Sequence, residues 1–247
     1  MTQASARKPA PDGSTPLLRQ YAQIKAQHPD HVIFFRCGDF YEMFMDDARV
    51  AARVLGITLT SRGTDASGQP VPLAGVPYHS VEPYLAKMIR AGHRVAICEQ
   101  MENPKQAKGV VRREVVRVVT PGTVLEDNLL DTKANNYLAA LVREDDALGL
   151  ASLDFSTGQF AITEFRGARA EERCGHELAR LAPSEVVVPR DQRDALVPLV
   201  SSVPGGGGGD GAARLALVEA GAVTYHAART ALLRQLGVRD LHGFGAE

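Results

Sequence analysis

The sequence predicts an α/β chain of two domains, the first of them built on a mixed sheet. In residues 15–124, apolar strand-like runs alternate with segments of helical period, a pattern typical of helices packed on a sheet. The pattern restarts after the polar stretch LEDNLLDTKANN, so we place a second domain at 125–247. Residues 1–14 are polar and proline-rich, and we expect a disordered tail there.

The two halves also differ in charge. Residues 1–123 contain 16 Lys and Arg against 11 Asp and Glu, a balance of +5, whereas residues 124–247 contain 12 against 18, a balance of −6. A basic half favours contact with a polyanion, and an acidic half favours contact with a protein. The charge pattern alone is only weak support for either partner.

Composition excludes several classes of protein. The chain is 45% hydrophobic and 23% charged, and it has no apolar run of the length that a transmembrane helix needs. The N-terminal stretch has no apolar segment typical of a secretory signal. The three cysteines are far apart and form no CxxC pair, which argues against disulfides and thiolate zinc sites. We expect a reduced, cytosolic setting.

The first domain is predicted to contain three helices and five strands. The first helix is indicated by Leu17, Leu18, Tyr21 and Ile24 at helical spacing. Glycine or proline marks most of the element ends. In chain order, the predicted elements are a helix from Thr15 that ends before Pro29, a strand at 31–37, a helix at 39–55, strands at 57–63 and 71–80, a helix at 81–91, and strands at 93–100 and 110–123.

The second domain is predicted to begin with three strands joined by short turns. A helix and a strand follow, then the glycine-rich run GGGGGDG, which is typical of a flexible insertion. The predicted elements are strands at 137–142, 149–155 and 158–165, a helix at 168–181, a strand at 184–189, a strand at 215–220 and a helix at 224–236. The chain ends soon after that helix, so we expect this domain to lack its last part.

The stretch RCGDFYEMF allows two interpretations. Asp39 is a plausible N-cap of the predicted helix, and Glu42 three residues later completes a capping-box pattern. Phe40 fits the apolar face of that helix poorly, because it would lie at the first helical position beyond the Gly38 hinge. An apolar ring at such a position can act as a wedge that enters DNA between base steps. Periodicity alone favours the structural interpretation.

The sequence gives only weak signals for other kinds of functional site. No phosphate-binding GxxxxGK[ST] loop, HExxH zinc motif or GxSxG nucleophile motif occurs in the sequence. Asp154 ends a strand beside a Ser-Thr-Gly turn and could hold a metal in a nuclease. Metal-dependent nucleases need several carboxylates that converge on one point. We therefore favour a turn-capping role for Asp154, and keep the nuclease as the alternative.

Several longer motifs resemble one known family. GDFYEMFMDDA, LTSRG, PLAGVPYHSVEPYLAKMIRAGHRVAICEQ and VVRVVTPGT are similar to the mismatch-recognition domain of bacterial MutS proteins, which detect mispaired DNA. NNYLAAL, LDFSTGQF and GVRDLHGFGAE resemble the connector domain of the same family. The resemblance implies an RNase H-like fold for the second domain, incomplete at its C-terminal end. The glycine run at 205–209 departs from the family pattern, as does Cys37, where an apolar residue is expected.

The resemblance implies roles for six residues. The family's phenylalanine that stacks at the mispair corresponds to Phe40, and its glutamate that hydrogen-bonds the mispaired base corresponds to Glu42. Arg62 and Arg113 are expected to contact the DNA backbone. Tyr78 and His79 are expected to support or contact the same surface.

The resemblance also implies the partners. They are mismatched double-stranded DNA, a MutL-type repair protein bound through the connector, and a second copy of the full-length protein; no membrane is involved. ATP and Mg²⁺ would belong to an ATPase domain outside this sequence. We therefore expect the chain itself to be a binding module without a cofactor or an enzymatic activity, in the bacterial cytosol with the nucleoid.

Overall fold

The computed structural model describes residues 15–65, 67–103, 107, 109–124, 135–201 and 215–245. The expected tail at 1–14 and the glycine run at 205–209 lie outside these residues. The chain divides into two compact units, Met1–Pro121 and Gly122–Glu247. Each unit has its own mixed sheet with helices packed on it, which confirms the predicted fold class.

The first unit contains a six-stranded sheet and three helices. Strands β1 and β5 run parallel in its centre, and every other neighbouring pair is antiparallel. The strand order is β3-β4-β2-β1-β5-β6. The elements are α1 (Pro16–Gln27), β1 (His31–Cys37), β2 (Phe40–Phe44), α2 (Met45–Leu55), β3 (Thr60–Thr64), β4 (Pro70–Pro77), α3 (Glu82–Arg90), β5 (Arg94–Gln100) and β6 (Arg113–Val119).

The prediction of one helix over 39–55 was wrong in its first part. Residues 40–44 form strand β2, and helix α2 begins only at Met45. Gly38 takes a φ of 59°, and Cys37 pairs with Phe40, so Gly38 and Asp39 form a tight turn between two strands. Asp39 is therefore not a helix N-cap, and it forms no capping box with Glu42. Strand β2 is stable because β1 and β4 pair with its two edges.

A buried carboxylate joins three elements of the first unit. Asp47 in α2 accepts hydrogen bonds from the Tyr21 hydroxyl of α1 at 2.5 Å, from Lys25 Nζ at 2.9 Å and from the Ile33 backbone N–H of β1 at 3.0 Å. Burial, and then the charge of Asp47, raise the pKa of Tyr21 far above its usual value, so this phenol stays protonated and donates. The network fixes α1 and α2 on the sheet that carries Phe40.

The second unit has a five-stranded sheet in the order β11-β10-β7-β8-β9. Strand β10 runs parallel to β7 and β11, and the two hairpins of β7, β8 and β9 are antiparallel. Helix α5 was missed because Pro198 lies inside it, a residue that usually ends a helix. The elements are β7 (Tyr137–Glu144), β8 (Ala147–Asp154), β9 (Gln159–Arg166), α4 (Ala170–Leu181), β10 (Glu185–Pro189), α5 (Arg193–Ser201), β11 (Leu215–Val218) and α6 (Tyr225–Leu236).

A close backbone approach in the second unit makes one glycine essential. The N–H of Gly122 donates to the buried Glu185 carboxylate at 3.1 Å, and a Cβ at Gly122 would lie 2.9 Å from Glu185 Cβ and from Leu138 Cδ1. We expect Gly122→Ala to lower the free energy of unfolding by about 1–3 kcal/mol, because these neighbours must move. Thermal unfolding followed by circular dichroism measures the change.

Gly175 provides a matched control for Gly122→Ala. It lies inside helix α4, and a Cβ there would meet no atom within 4 Å. The same glycine-to-alanine change should stabilise the unit by about 0.5–1 kcal/mol, because alanine is the better helix former. Equal melting of the two variants would contradict the steric account of Gly122.

Among the residues that the structure describes, no helix is both long enough and apolar enough to cross a membrane.

Candidate nucleic-acid interface

Phe40 is exposed at the first position of strand β2. Its side chain retains 47% of its accessible surface, although the four residues after it in the strand are buried or half-buried. The tight turn at Gly38 and Asp39 comes immediately before it. Because alternate residues of a strand point to opposite faces, Phe40 and Glu42 lie on one face, and Tyr41 and Met43 lie on the other. Phe40 is therefore an exposed apolar ring on a rigid strand, beside a carboxylate.

Glu42 is paired with Arg62. Nη1 of Arg62 lies 2.9 Å from both carboxylate oxygens of Glu42. Arg62 belongs to β3, and β4 separates that strand from β2, so the arginine side chain extends across β4. Gly75 of β4 pairs with Glu42 and has no side chain to fill the surface there; a Cβ at Gly75 would lie 3.9 Å from both Glu42 Cγ and Phe40 Cδ1.

Cys37 lies on the same face, because it pairs directly with Phe40 across the hairpin. Burial is the main cause that raises the pKa of the Cys37 thiol to about 12, and the negative charge of Glu42 is the second. Arg113 and Arg62 oppose this shift through their positive charges. Glu42, Arg62 and Arg113 therefore all act electrostatically on the Cys37 thiol.

We expect the Cys37 thiol to be inert towards alkylation in the native protein. A pKa of about 12 leaves almost no thiolate at pH 8, so iodoacetamide should react about three orders of magnitude more slowly than with a free cysteine. Glu42→Gln removes the neighbouring negative charge, lowers the pKa of Cys37, and should speed the reaction severalfold. Mass spectrometry of the modified peptides measures the rate.

The control for this experiment is Asp46→Asn, the same carboxylate-to-amide change at an exposed position of α2. It should leave the alkylation rate of Cys37 unchanged. Equal rates in the Glu42→Gln and wild-type proteins would show that Glu42 does not act on this thiol.

Tyr78 and His79 lie directly after strand β4. They belong to a short 3-10 turn at Tyr78–Ser80, and their rings meet edge to face at 5.7 Å. The backbone N–H of Tyr78 donates to the Asp39 carbonyl at 3.0 Å, which ties this turn to the turn before Phe40. The Tyr78 ring also stacks on the guanidinium of Arg36, at 3.4 Å from the ring centroid. Tyr78 thus supports the hairpin that presents Phe40.

Arg113 is buried, unlike Arg62. Its Nε donates to the Arg36 carbonyl at 2.6 Å, and its Nη1 donates to Gln20 Oε1 at 3.1 Å. The guanidinium carbon also lies 4.8 Å from the centroid of the Phe35 ring. Arg113 therefore supports strand β1 from within the unit, and contact with a DNA phosphate would require it to leave these partners.

Asp154 forms the turn cap that the sequence favours. Its Oδ1 accepts hydrogen bonds from the Ser156 N–H at 2.9 Å and the Ser156 hydroxyl at 2.7 Å, and this hydroxyl bond is the main cause that lowers the pKa of Asp154. Within the described residues, no three His, Cys, Asp or Glu side chains come together in a way that could hold a metal ion. These contacts do not favour the nuclease alternative.

Two residues around the Phe40 hairpin are not indicated by the sequence pattern. At Gly75 the pattern predicts only a strand, although a glycine inside a strand often marks a close approach. At Arg36 the pattern predicts only a position in a buried strand. Its contacts with Gly38, Tyr78 and Glu99 join residues up to 63 positions apart, and no local pattern indicates them.

Comparison with known proteins gives a separate family match for each half of the chain. The family described as MutS domain I matches residues 15–128, and the family described as MutS domain II matches residues 136–247. The fold and the matches together define a two-domain α/β chain whose units correspond to two successive domains of one protein family.

The chain belongs to the MutS family, as its motifs suggested. Among curated relatives, the DNA mismatch repair protein MutS of Symbiobacterium thermophilum is 45% identical over 239 residues, which are 96% of this chain and 26% of the relative. The protein of the same name from Pelotomaculum thermopropionicum is 52% identical over 180 residues, 73% of this chain and 21% of the relative. The chain thus spans about a fifth to a quarter of the length of the curated relatives it matches.

Proposed function

We propose that the first unit binds mismatched double-stranded DNA, with Phe40 as the wedge that stacks at the mispair. The observation that carries this proposal is the exposed Phe40 ring beside Glu42, at the start of a strand paired on both edges. Inserting a ring between base steps requires unstacking, at about a few kcal/mol per step. A mispaired step unstacks more easily than a paired one, so the wedge favours mismatched DNA.

Glu42 and Arg62 divide the polar contacts in this proposal. Glu42 hydrogen-bonds the exposed base edge, and Arg62 binds a phosphate of the backbone. Their ion pair has an Arg62 side chain that is 58% exposed and a Glu42 side chain that is 15% exposed. Pairs with one partner this exposed contribute little to stability, about 0–1 kcal/mol. A phosphate can therefore take Arg62 from Glu42 at small cost, and this frees the carboxylate for the base.

The carboxylate also provides selectivity. On matched DNA, Glu42 faces phosphates and paired bases, so its charge is repelled and partly desolvated without a new hydrogen bond. On mismatched DNA, a hydrogen bond between Glu42 and the accessible base edge compensates for the binding free energy lost through repulsion and desolvation. Discrimination then comes partly from a penalty on the wrong ligand. Tyr78 and His79 support the same surface, and Arg113 supports strand β1 behind it.

The second unit is proposed to connect mismatch recognition to a MutL-type repair protein. This part of the proposal rests on the family match to MutS domain II and on the excess of acidic residues in this half. In the whole protein, ATP and Mg²⁺ would act at an ATPase domain that also forms the homodimer. The present chain has no phosphate-binding loop to hold ATP, and its proposed role is binding. The proposed location is the bacterial cytosol, where the chromosomal DNA lies.

Fluorescence anisotropy tests the proposal. The full-length product of the gene is titrated into a labelled duplex with one G·T mismatch and into its matched control, at one stated salt concentration, because salt changes all such affinities. We expect tighter binding of the mismatched duplex. Equal binding of the two duplexes would reduce the function to nonspecific DNA binding, and Mg²⁺-dependent cleavage abolished by Asp154→Ala would favour the nuclease instead.

A further inference from the structure

Next to Phe40, strand β2 is joined to β4 by a hydrogen bond between two turns. Phe40 pairs with Pro77 of β4, and proline has no N–H to donate. The Tyr78 N–H donates to the Asp39 carbonyl, so Phe40 and Pro77 are a non-hydrogen-bonded pair, and the absent proline N–H leaves no bond to β2 unmade. The position of Phe40 thus depends on how firmly the turns at 38–39 and 78–80 are held.

Arg36 holds both turns at once. Its Nε donates to the carbonyl of Gly38 at 2.5 Å, inside the turn that precedes Phe40. Its guanidinium carbon lies over the Tyr78 ring, 3.4 Å from the ring centroid, in the turn that follows β4. Such a cation–π contact is strong when the arginine is withdrawn from water, and the Arg36 side chain is 17% exposed.

Two further residues support the guanidinium. Glu99 of β5 lies 3.4 Å from Arg36 Nη1, and its other oxygen accepts a hydrogen bond from the Tyr41 hydroxyl. Burial, and then this hydrogen bond, raise the pKa of Tyr41, so the phenol remains a donor at neutral pH. The Arg36 carbonyl meanwhile accepts from the buried Arg113. Arg36 is therefore held at both its backbone and its side chain.

Arg36 lies on the reverse face of the sheet from the proposed DNA surface. It pairs with Tyr41, whereas Cys37 pairs with Phe40, and neighbouring residues of a strand point to opposite faces. The guanidinium is consequently engaged behind the hairpin, whereas the exposed Phe40 ring and the Glu42–Arg62 pair lie in front. This placement separates Arg36 from a phosphate-binding arginine such as Arg62.

We propose that Arg36 is a positioning residue for mismatch recognition: it clamps the turns at Gly38 and Tyr78, and thereby keeps Phe40 rigid against the base stack. The inference rests on the proposed function of Phe40. A wedge can unstack a base step only if its own support does not yield, because otherwise the strain relaxes into the protein. Loss of the clamp should therefore reduce discrimination more than it reduces DNA binding itself.

The test compares Arg36→Met and Arg36→Lys with wild type in the full-length gene product. We expect both variants to lower the ratio of mismatched to matched affinity by about three- to tenfold. Lysine should not rescue, because a single ammonium group cannot bond Gly38, approach Glu99 and cover the Tyr78 ring together. The dependence of affinity on salt should stay as in wild type, whereas Arg62→Met should reduce the slope by about one phosphate contact.

Hydrogen exchange of the Tyr78 amide provides a second readout without DNA. This amide donates to Asp39, and its exchange should become roughly tenfold faster in Arg36→Met, because the turn opens more often. Arg49→Met is the control, since Arg49 is an exposed arginine of the same unit that pairs with Asp46 on the surface of α2. It should change neither the affinity ratio nor the exchange rate.

The outcomes separate this inference from the proposed function. If wild type binds both duplexes equally, the proposed function fails. If wild type discriminates and both Arg36 variants discriminate equally well, the positioning role is overturned. A uniform loss of affinity with a smaller salt slope would also overturn it, because Arg36 would then be a phosphate contact.

Discussion

Phe40→Ala is expected to remove most of the preference for mismatched DNA. The ring is the wedge in the proposed mechanism, and stacking of an aromatic side chain on a base contributes about 1–3 kcal/mol. Affinity for a G·T duplex should therefore fall by about 5- to 150-fold, while affinity for the matched duplex changes little. Anisotropy titrations of both duplexes at the same salt concentration measure the ratio.

The same substitution should scarcely change stability. Phe40 is half-exposed, so truncation removes little buried area, and we expect a loss below about 1 kcal/mol in the free energy of unfolding. Phe160→Ala is the matched control, because Phe160 is 48% exposed but belongs to β9 of the other unit. It should bind and discriminate like wild type. Full discrimination by Phe40→Ala together with a clear loss of stability would assign Phe40 to the core.

Asp47→Ala is expected to cause a large loss of stability in the first unit. Three donors, from Tyr21, Lys25 and Ile33, lose their acceptor, and two of them are buried. Removing one partner from a buried charged network lowers the free energy of unfolding by about 3–5 kcal/mol. Denaturant unfolding of the chain, followed by circular dichroism, measures the change in midpoint.

The neighbouring residue provides the control for Asp47→Ala. The Asp46 side chain is 90% exposed, and its ion pair with Arg49 lies on the surface of α2. Asp46→Ala should therefore stay within about 0.5 kcal/mol of wild type. A similar small effect at Asp47 would mean that the network of α1, β1 and α2 is not what holds these elements together.

The local sequence pattern was most informative where it was regular. In residues 137–166, three strand-like runs separated by short turns predicted β7, β8 and β9 within about two residues at each end. The pattern misled at Phe40–Phe44, where Phe40 and Phe44 fall at helical spacing but lie in a strand. Five residues are too few to separate the two periods when the segment is followed directly by a helix.

The sequence by itself determined the fold class and the family, because these follow from hydrophobic patterns and from motifs read along the chain. It also indicated Phe40 and Glu42 as candidate site residues, through the resemblance of GDFYE to a known motif. Only the tertiary structure decided that Phe40 starts a strand, because the hydrogen bonds that make it one come from β1 and β4.

The tertiary structure also decided the surroundings of the site. Glu42 meets Arg62, which is 20 residues away, and Arg36 meets Glu99, which is 63 residues away. Such contacts depend on the order of strands in the sheet, and that order results from packing of the whole unit. Local sequence therefore predicts which side chains can act on DNA, and long-range pairing determines which residues hold them in place.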